Sequence, residues 1–596
     1  MERLTDFKPL GRVVLPDVGP LDYSGLILIV GPNSSGKTHL LQDLYQRLTG
    51  VGRTLVTATA IGVRKPAELE PFLKCLEREG LIKRYVDPNG NTQIRPLTTY
   101  LGSGQFASQI SENQPGELYR TFSVEDAERA RPVAFLSYFG RMLVTGLFLD
   151  RRLASLGSVP VFDHETTSPQ HEIQSLFIES DARKALLAES RGTFQKSVWP
   201  DGSRGTLCLR VSDSRDAPTA EDLISPKSMG NYRTIDTEGD GLKSYIAICV
   251  ALLLGLRPVC VIDEPEMCLH PPQAYNLGRF IGRYGSSPDR STFVATHSSH
   301  VLRGVIQTTN RLQIVRLTRR DSSFHAHLVP SEVLKNVLER PTVRAETVLD
   351  GIFSQAVVVV ESEGDKTVYQ AVLETLNKEF QLDLHFTAVN GIGGISETCR
   401  LYQTLKIPVA VIADLDMISD ASGICRVLTE LRGVAPKDSL RTSLEDLALK
   451  VKKIPPTIDS AEVKRRLQQI AGHGMDWAND QDVPIQKAVQ ELSRELDRMR
   501  RIKGGLSKLP KPIADDAKGI LVELASCGLF LVPVGELEGW LDFANIEVSR
   551  RKWAWAIQAA TKVHTLGPQN HDVWDFVRSV ATFLSKDSMQ AVAESV

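Results

Sequence analysis

The chain lacks several things that would have settled its class at once. It has no apolar run long enough to span a bilayer; the longest, around Tyr245–Leu256, has the length of a buried helix. Its first residues, MERLTDFKPLGRVV, lack the apolar stretch of a secretory leader, so the expected location is cytoplasmic, with no membrane partner. Cysteine is sparse: Cys75, Cys208, Cys249, Cys260, Cys268, Cys399, Cys425 and Cys527 form no CxxC pair. That excludes a disulfide frame and a zinc ribbon and predicts reduced thiols, with Cys249 and Cys260 inside apolar runs. Net charge is only −2, so no global field draws the chain to nucleic acid, although a basic groove on one face remains compatible with that balance. Internal repeats and long low-complexity tracts are also missing. What is present is an ordinary globular composition, 42% hydrophobic and 24% charged, spread over 596 residues. That length exceeds what one hydrophobic core supports, so two or more domains are expected.

Two α/β rhythms run along the chain. Leu26–Val30 is an apolar run that ends in Gly-Pro-Asn, and helical spacing follows over His39–Leu48. Strand, glycine loop and helix form the first unit of a nucleotide-binding sheet. Between residues 63 and 150 the rhythm lapses and an insertion is expected, with a hairpin at Pro88-Asn89-Gly90-Asn91. A helix over Gln170–Phe194, a strand at Thr206–Val211, a polar loop at Ser225–Thr237, a helix over Gly241–Leu254, and strands at Pro258–Ile262 and Thr292–Thr296 complete a domain placed at residues 1–345. The second rhythm, residues 352–596, begins with a strand at Gln355–Val360, a helix over Lys366–Glu379, and strands at His385–Val389 and Pro408–Ile412. A charged helical insertion over residues 425–525 precedes a return strand at Leu529–Val534.

Gly31-Pro32-Asn33-Ser34-Ser35-Gly36-Lys37-Thr38 fits the P-loop pattern. Its glycines let the backbone wrap phosphates, whose charge meets amide N–H groups at a helix N-terminus. Lys37 is expected on the β- and γ-phosphates and Thr38 on magnesium. The strand Val259–Asp263 ends in Asp263, placed for the magnesium shell, and Glu264, placed to polarise an attacking water. Such a pair could cap a helix; beside a P-loop the catalytic reading wins. Glu238-Gly239-Asp240-Gly241-Leu242-Lys243-Ser244 opens a helix with two glycines, a second anion cradle. His297 follows another strand, where it can contact the γ-phosphate. Alone, these last two features would read as a solvated turn and a core histidine.

In this order the elements resemble the ABC ATPase family. Walker A is Gly31–Thr38, the signature Glu238–Ser244, Walker B Val259–Glu264, the D-loop lies around Glu266–His270, and His297 is the switch histidine. The stretch DEPEMCLHPPQ resembles the chromosome-maintenance and DNA-repair branch rather than transporters. The resemblance implies ATP as cofactor and a homodimer or higher homo-oligomer, with the signature of one head, Gly239 and Gly241 included, facing the other's P-loop. The signature serine is replaced, which weighs against tight closure and fast turnover. For the Q-loop glutamine, Gln170 is the candidate.

The second rhythm carries carboxylates at its strand ends. Gln355–Val360 runs into Glu361-Ser362-Glu363-Gly364-Asp365, Val409–Ala413 into Asp414-Leu415-Asp416, and Leu529–Val534 into Gly535-Glu536-Leu537-Glu538. Parallel strands bring these ends to one sheet edge, where α/β sites form. So many carboxylates repel one another unless a cation joins them, and oxygen-only ligation suits Mg2+ or Mn2+. Any one cluster could be an N-cap or a solvated loop; three, each directly after an apolar strand, point to metal. The pattern E-x-x-x-D followed by D-x-D, with a Gly391-Ile392-Gly393-Gly394 turn between, resembles the Toprim domain of topoisomerases, primases and nucleases.

An ABC head followed by a C-terminal Toprim domain resembles the overcoming-lysogenization-defect (OLD) nucleases, among them the Gabija nuclease and retron-linked anti-phage proteins. The resemblance implies an α/β chain: an ABC head of mixed sheet and helices with an inserted helical or dimerisation segment, then a Rossmann-like Toprim domain with a helical insertion. It implies ATP-regulated, Mg2+- or Mn2+-dependent DNA cleavage, with Glu361, Asp365, Asp414, Asp416, Glu536 and Glu538 as metal ligands. It also implies a lysine near the scissile phosphate, for which Lys562 and Lys552 are the candidates, and a helicase or retron RNA–DNA as a compatible partner. The alternative from another class is an ATP-driven DNA clamp or scaffold without nuclease activity. A topoisomerase or primase is disfavoured, since no tyrosine stands in a strand-passage context and no zinc module is present.

Overall fold

The computed structural model describes residues 2–96, 110–129, 131–213, 231–309, 311–329, 346–376, 379–380, 383–389, 391–454, 458–472, 482–496, 502–540 and 552–590. The chain divides into two compact units, Met1–Asn336 and Val337–Val596. Each is described by itself.

The first unit is built around a six-stranded sheet. Its elements are β1 (Gly25–Val30), α1 (Lys37–Leu48), β2 (Val144–Leu147), α2 (Asp240–Leu254), β3 (Val259–Asp263), α3 (Pro271–Gly285), β4 (Ser291–Ala295), α4 (Ser299–Ile306), β5 (Leu312–Arg320) and β6 (Ser323–Val329). The strand order is β6-β5-β1-β4-β3-β2. All neighbours run parallel except the β5–β6 hairpin at one edge. A parallel sheet covered on both faces needs strands that are apolar throughout, and β1, Gly-Leu-Ile-Leu-Ile-Val, is buried at every position. Because β1, β3 and β4 are parallel neighbours, their C-terminal ends share one edge; Ile29 pairs with Ala295, which pairs with Asp263.

The structure departs from the sequence reading in instructive places. Val144–Leu147 lies inside the span expected to be an insertion, yet it pairs with β3 as the edge strand of the main sheet. Four residues with Thr145 and Gly146 among them give little apolar signal. The hairpin is present, Ile82–Val86 against Thr92–Pro96, and the Asn89 and Asn91 amides donate to Asp87 at 2.9 Å, closing the turn. The stretch Gln170–Phe194 is two helices, Glu172–Ile178 and Ser180–Phe194, broken where Glu179 turns extended. Part of the polar loop at 225–237 lies outside the described residues.

The second unit holds β7 (Ala356–Val360), α5 (Glu363–Thr375), β8 (Leu384–Ala388), α6 (Gly391–Thr404), β9 (Val409–Ala413), α7 (Ala421–Arg432), α8 (Asp438–Lys452), α9 (Lys511–Ser526), β10 (Leu529–Leu531), α10 (Lys552–Leu566) and α11 (Asp572–Gln590). Its sheet is wholly parallel, in the order β8-β7-β9-β10. One face is closed by α5, α10 and α11, with Trp555 and Trp574 in the same buried cluster as Val358 and Val360. The fully buried Trp574 donates its indole N–H to Thr375 at 2.9 Å. Two further helices, Ser460–Gly472 and Asp482–Leu496, belong to the charged span between β9 and β10. The Gly391–Gly394 segment is the first turn of α6 rather than a separate turn. The return strand is shorter than expected because Pro533 has no N–H for a ladder. No helix among the described residues is long and apolar enough to cross a membrane.

Candidate functional site

At the first unit's sheet edge, β1 feeds a loop whose backbone only glycine permits at two points. A Cβ on Gly31 (φ +142) would lie 2.0 Å from the Leu317 carbonyl oxygen, and one on Gly36 (φ +94) would lie 2.6 Å from the Phe324 ring. Ser34 also has positive φ, 61°, and is exposed together with Asn33, whereas Ser35 is buried. Lys37 opens α1 and donates to the carbonyls of Gly31 (2.8 Å) and Pro32 (2.7 Å) and to Ser35 Oγ (3.3 Å). Burial lowers its ammonium to about 8, against the opposing pull of Glu264, Glu266 and Asp263. Thr38 Oγ1 donates to Asp263 Oδ1 at 3.0 Å, so the two expected magnesium ligands, one from α1 and one from β3, already touch. Burial raises Asp263 to about 6. A buried carboxylate that accepts from the Thr38 hydroxyl is chemically suited to a hard divalent cation, and the donor set therefore fits magnesium.

Glu264 follows in a left-handed conformation, φ 44°, which a non-glycine residue holds only when its surroundings impose it. Here its N–H donates to Ala295 O (2.8 Å), and its carbonyl accepts from Arg152 Nη2 (3.1 Å). Arg152, completely buried, also donates Nη1 to Asp263 O at 2.7 Å. His297 Nε2 stands 3.3 Å from the Glu264 carboxylate. Burial first, and Lys37 second, lower the His297 imidazole, favouring the neutral ring. Glu266 joins the two strand ends by accepting from Thr296 Oγ1 (2.9 Å) and the His297 N–H (2.6 Å). The arrangement brings Lys37, Thr38, Asp263, Glu264 and His297 together as expected from sequence. Arg152 and Glu266 are site residues that no motif marks: an arginine after an edge strand carries no pattern, and Glu266 stands in the D-loop segment without a role of its own in the sequence.

The Glu238–Ser244 segment has its own partners. Gly239 caps α2, and a Cβ on Gly241 would lie 2.4 Å from the Cys268 carbonyl, so glycine here is a packing requirement. Glu238 is neutralised by Lys196 (2.7 Å) and Arg233 (2.8 Å), and Asp240 pairs with Lys243 (3.1 Å). Gln170 donates its backbone N–H to Gln174 within the same stretch.

In the second unit, β7, β9 and β10 deliver their carboxylates to one edge. The register pairs Val360 with Ile412, which sets Glu361 beside the end of β9, and the Asp414 N–H donates to Glu361 Oε1 at 3.1 Å. Burial and then the charges of Glu361, Asp365, Glu536 and Asp416 raise the Asp414 carboxyl to about 8. Burial likewise raises Glu361, partly offset by the Asp414 N–H. Asp365 folds back as part of a capping box, accepting from Ser362 N (3.0 Å) and Oγ (2.8 Å). Glu536 and Glu538 follow β10, the first capping and the second within the short helical turn Leu537–Gly539. Lys562 lies on α10; the side chain of Lys552 lies outside the described residues. The lysine seen at the carboxylates is another one, Lys503, whose Nζ is 2.6 Å from Glu536 Oε1 and 3.7 Å from Asp416 Oδ2. Its only sequence signal was the Gly504-Gly505 pair that follows it. Among the described residues, no three His, Cys, Asp or Glu side chains stand ready to hold a metal ion. The donor chemistry nonetheless fits one, since four carboxylates act on the buried Asp414 and, among the described residues, Lys503 is the ammonium seen beside them.

Two family models match the chain. Residues 212–303 match one described as "AAA domain, putative AbiEii toxin, Type IV TA system", and residues 352–416 match "Overcoming lysogenization defect protein-like, TOPRIM domain". Among solved structures, the chain is similar to the SMC head domain from Thermotoga maritima (11% identity, TM-score 0.27, covering 54% of this chain and 100% of that one). It is also similar to a Pyrococcus furiosus Smc head domain bound to the C-terminal domain of ScpA (11%, 0.29, 56% and 98%). A third similar structure is the C-terminal region of the Xanthomonas campestris pv. campestris OLD protein (13%, 0.19, 40% and 97%). No curated protein matches the chain. The motifs and family models together define an ATPase domain of AAA/ABC type followed by a Toprim domain. The Toprim domain is OLD-like, and an ATPase domain followed by such a domain supports a nuclease-type ATPase.

Proposed function

We propose that the chain is an ATP-regulated, Mg2+- or Mn2+-dependent DNA endonuclease, making nicks or double-strand breaks, that acts as a homodimer or higher homo-oligomer in bacterial anti-phage defence. The observation that carries this reading is the shared sheet edge to which Glu361, Asp365, Asp414, Asp416 and Glu536 are delivered, where burial and the charges of the other four raise the Asp414 carboxyl. Such a concentration of negative oxygen is of little use to a clamp, but it suits a cation that must approach a phosphodiester.

In the ATPase unit, Lys37 and the loop amides of Gly31–Thr38 hold the nucleotide phosphates, and Thr38 and Asp263 hold magnesium. Glu264 orients the attacking water, with its backbone fixed by Arg152, while neutral His297 holds its carboxylate. Gly239 and Gly241 present the signature helix to a second head. In the Toprim unit Glu361, Asp365, Asp414, Asp416, Glu536 and Glu538 are the ligand set, and Lys562 is the candidate for the phosphate. A bound divalent cation would supply Lewis acidity to the phosphodiester and lower the pKa of a water molecule. A cytoplasmic location, and a helicase or retron RNA–DNA as partner, are consistent with this reading.

The test is cleavage of supercoiled plasmid with Mg2+ or Mn2+ by wild type and Asp414→Ala. Cleavage should fall by about a hundredfold or more in the variant. Equal cleavage by both would remove the nuclease reading and leave the ATP-driven clamp or scaffold.

A further inference from the structure

Lys503 is held where it is by backbone, not by chance. A Cβ on Gly535 (φ +103) would lie 1.9 Å from the Lys503 carbonyl oxygen, and one on Gly505 (φ +84) would lie 2.6 Å from the Val534 carbonyl carbon. Two glycines thus let the chain at 503–505 lie flat against the chain at 534–535. The Leu506 N–H donates to Pro533 O, and the Leu415 N–H, between Asp414 and Asp416, donates to Gly535 O, both at 2.9 Å. The end of the helical span, the Glu536 loop and the DxD loop are therefore one hydrogen-bonded assembly. The Lys503 ammonium sits within it between Glu536 (2.6 Å) and Asp416 (3.7 Å). The side chain is 40% exposed, so it can swing into solvent without unfolding anything.

We infer that Lys503 is a tethered counter-cation that holds Asp416 and Glu536 in the metal-free chain and is displaced when a divalent cation binds there. This rests on the reading of the carboxylate edge as a metal site. The physical argument is competition for the same oxygens. An ammonium offers one charge and three N–H donors, so it offsets one of the two carboxylate charges without drawing the carboxylates to one point. A divalent cation offers twice the charge and requires several oxygens at once, so Asp416 and Glu536 must turn from the ammonium to the ion. Lys503 thereby raises the cation concentration needed to fill the site and keeps the edge from repelling itself when empty.

The test is calorimetric titration of Mn2+ into the full, nucleotide-free chain, comparing wild type, Lys503→Met and Lys503→Arg, with Asp414→Ala identifying the heat that belongs to this site. Lys503→Met should tighten Mn2+ about tenfold, because it removes a like charge from the ion's vicinity, and Lys503→Arg should not. In chelator Lys503→Met should also melt below wild type, and Mn2+ should close that gap. Unchanged or weaker Mn2+ binding by Lys503→Met, with Asp414-sensitive binding intact in wild type, overturns this inference alone. Absence of any Asp414-sensitive binding in wild type overturns the metal-site reading with it. If Lys503→Met does not fold, Lys503→Gln answers the same question.

Discussion

At the residue scale, burial decides how each ionisable group behaves. Lys37, brought to about 8 by burial, is satisfied by three oxygens of its own loop and so is ready to exchange them for phosphate oxygens. Replacing it by alanine removes that charge, and ATP turnover measured by phosphate release should fall by about a hundredfold or more. Retained turnover would mean that another group holds the phosphates. His171 offers a pH test away from either site. Burial of its ring, which accepts from the Ile173 N–H at 3.2 Å, lowers it from 6.5 to about 4. The folded value lies below the unfolded one, so the neutral ring stabilises the fold fully above about 6.5, and that contribution is lost as pH falls through about 4. It is worth up to about 3 kcal/mol. Thermal melts taken from neutral pH down toward 4 should therefore fall less steeply for His171→Asn, which keeps a cap but cannot titrate. Parallel curves would show that the ring is not what acid attacks.

At the element scale, both sites are consequences of parallel strands ending together. Neither P-loop, Walker B and switch histidine, nor the three carboxylate clusters, are near one another in sequence; hydrogen-bond register puts them side by side. The close approach of two loops at Gly535 is the most demanding element contact at the Toprim edge. Gly535→Ala forces a Cβ against backbone in a left-handed conformation and should cost about 2–4 kcal/mol locally. Hydrogen exchange at the Leu415 and Leu506 amides, which bond to this loop, should quicken by about tenfold or more. Exchange at the wild-type rate would mean that the loops do not lean on each other.

At the scale of the whole molecule, the ABC resemblance implies that ATP joins two heads, and this is open to a direct measurement. Glu264→Gln keeps the fold of the strand end, since Arg152 and Ala295 hold its backbone, but removes the carboxylate that polarises water. With ATP present, light scattering should report a larger assembly for this variant than for its nucleotide-free form; an unchanged mass would remove the ATP-closed interface. The sequence by itself determined the two α/β rhythms, the P-loop, the acidic strand ends and the hairpin at Asn89-Gly90, because each rests on a local pattern: an apolar run, a glycine loop, a turn. It did not determine the edge strand Val144–Leu147, whose four residues carry almost no apolar signal and whose place comes from pairing with Val259–Ile262. Nor did it determine the partners that complete each site. Arg152 reaches the ends of β3 from a different part of the chain, and Lys503 reaches Glu536 through a close contact of two glycines. Tertiary structure alone decided these, because a long side chain's target is set by what the fold brings within its reach and not by its neighbours along the chain.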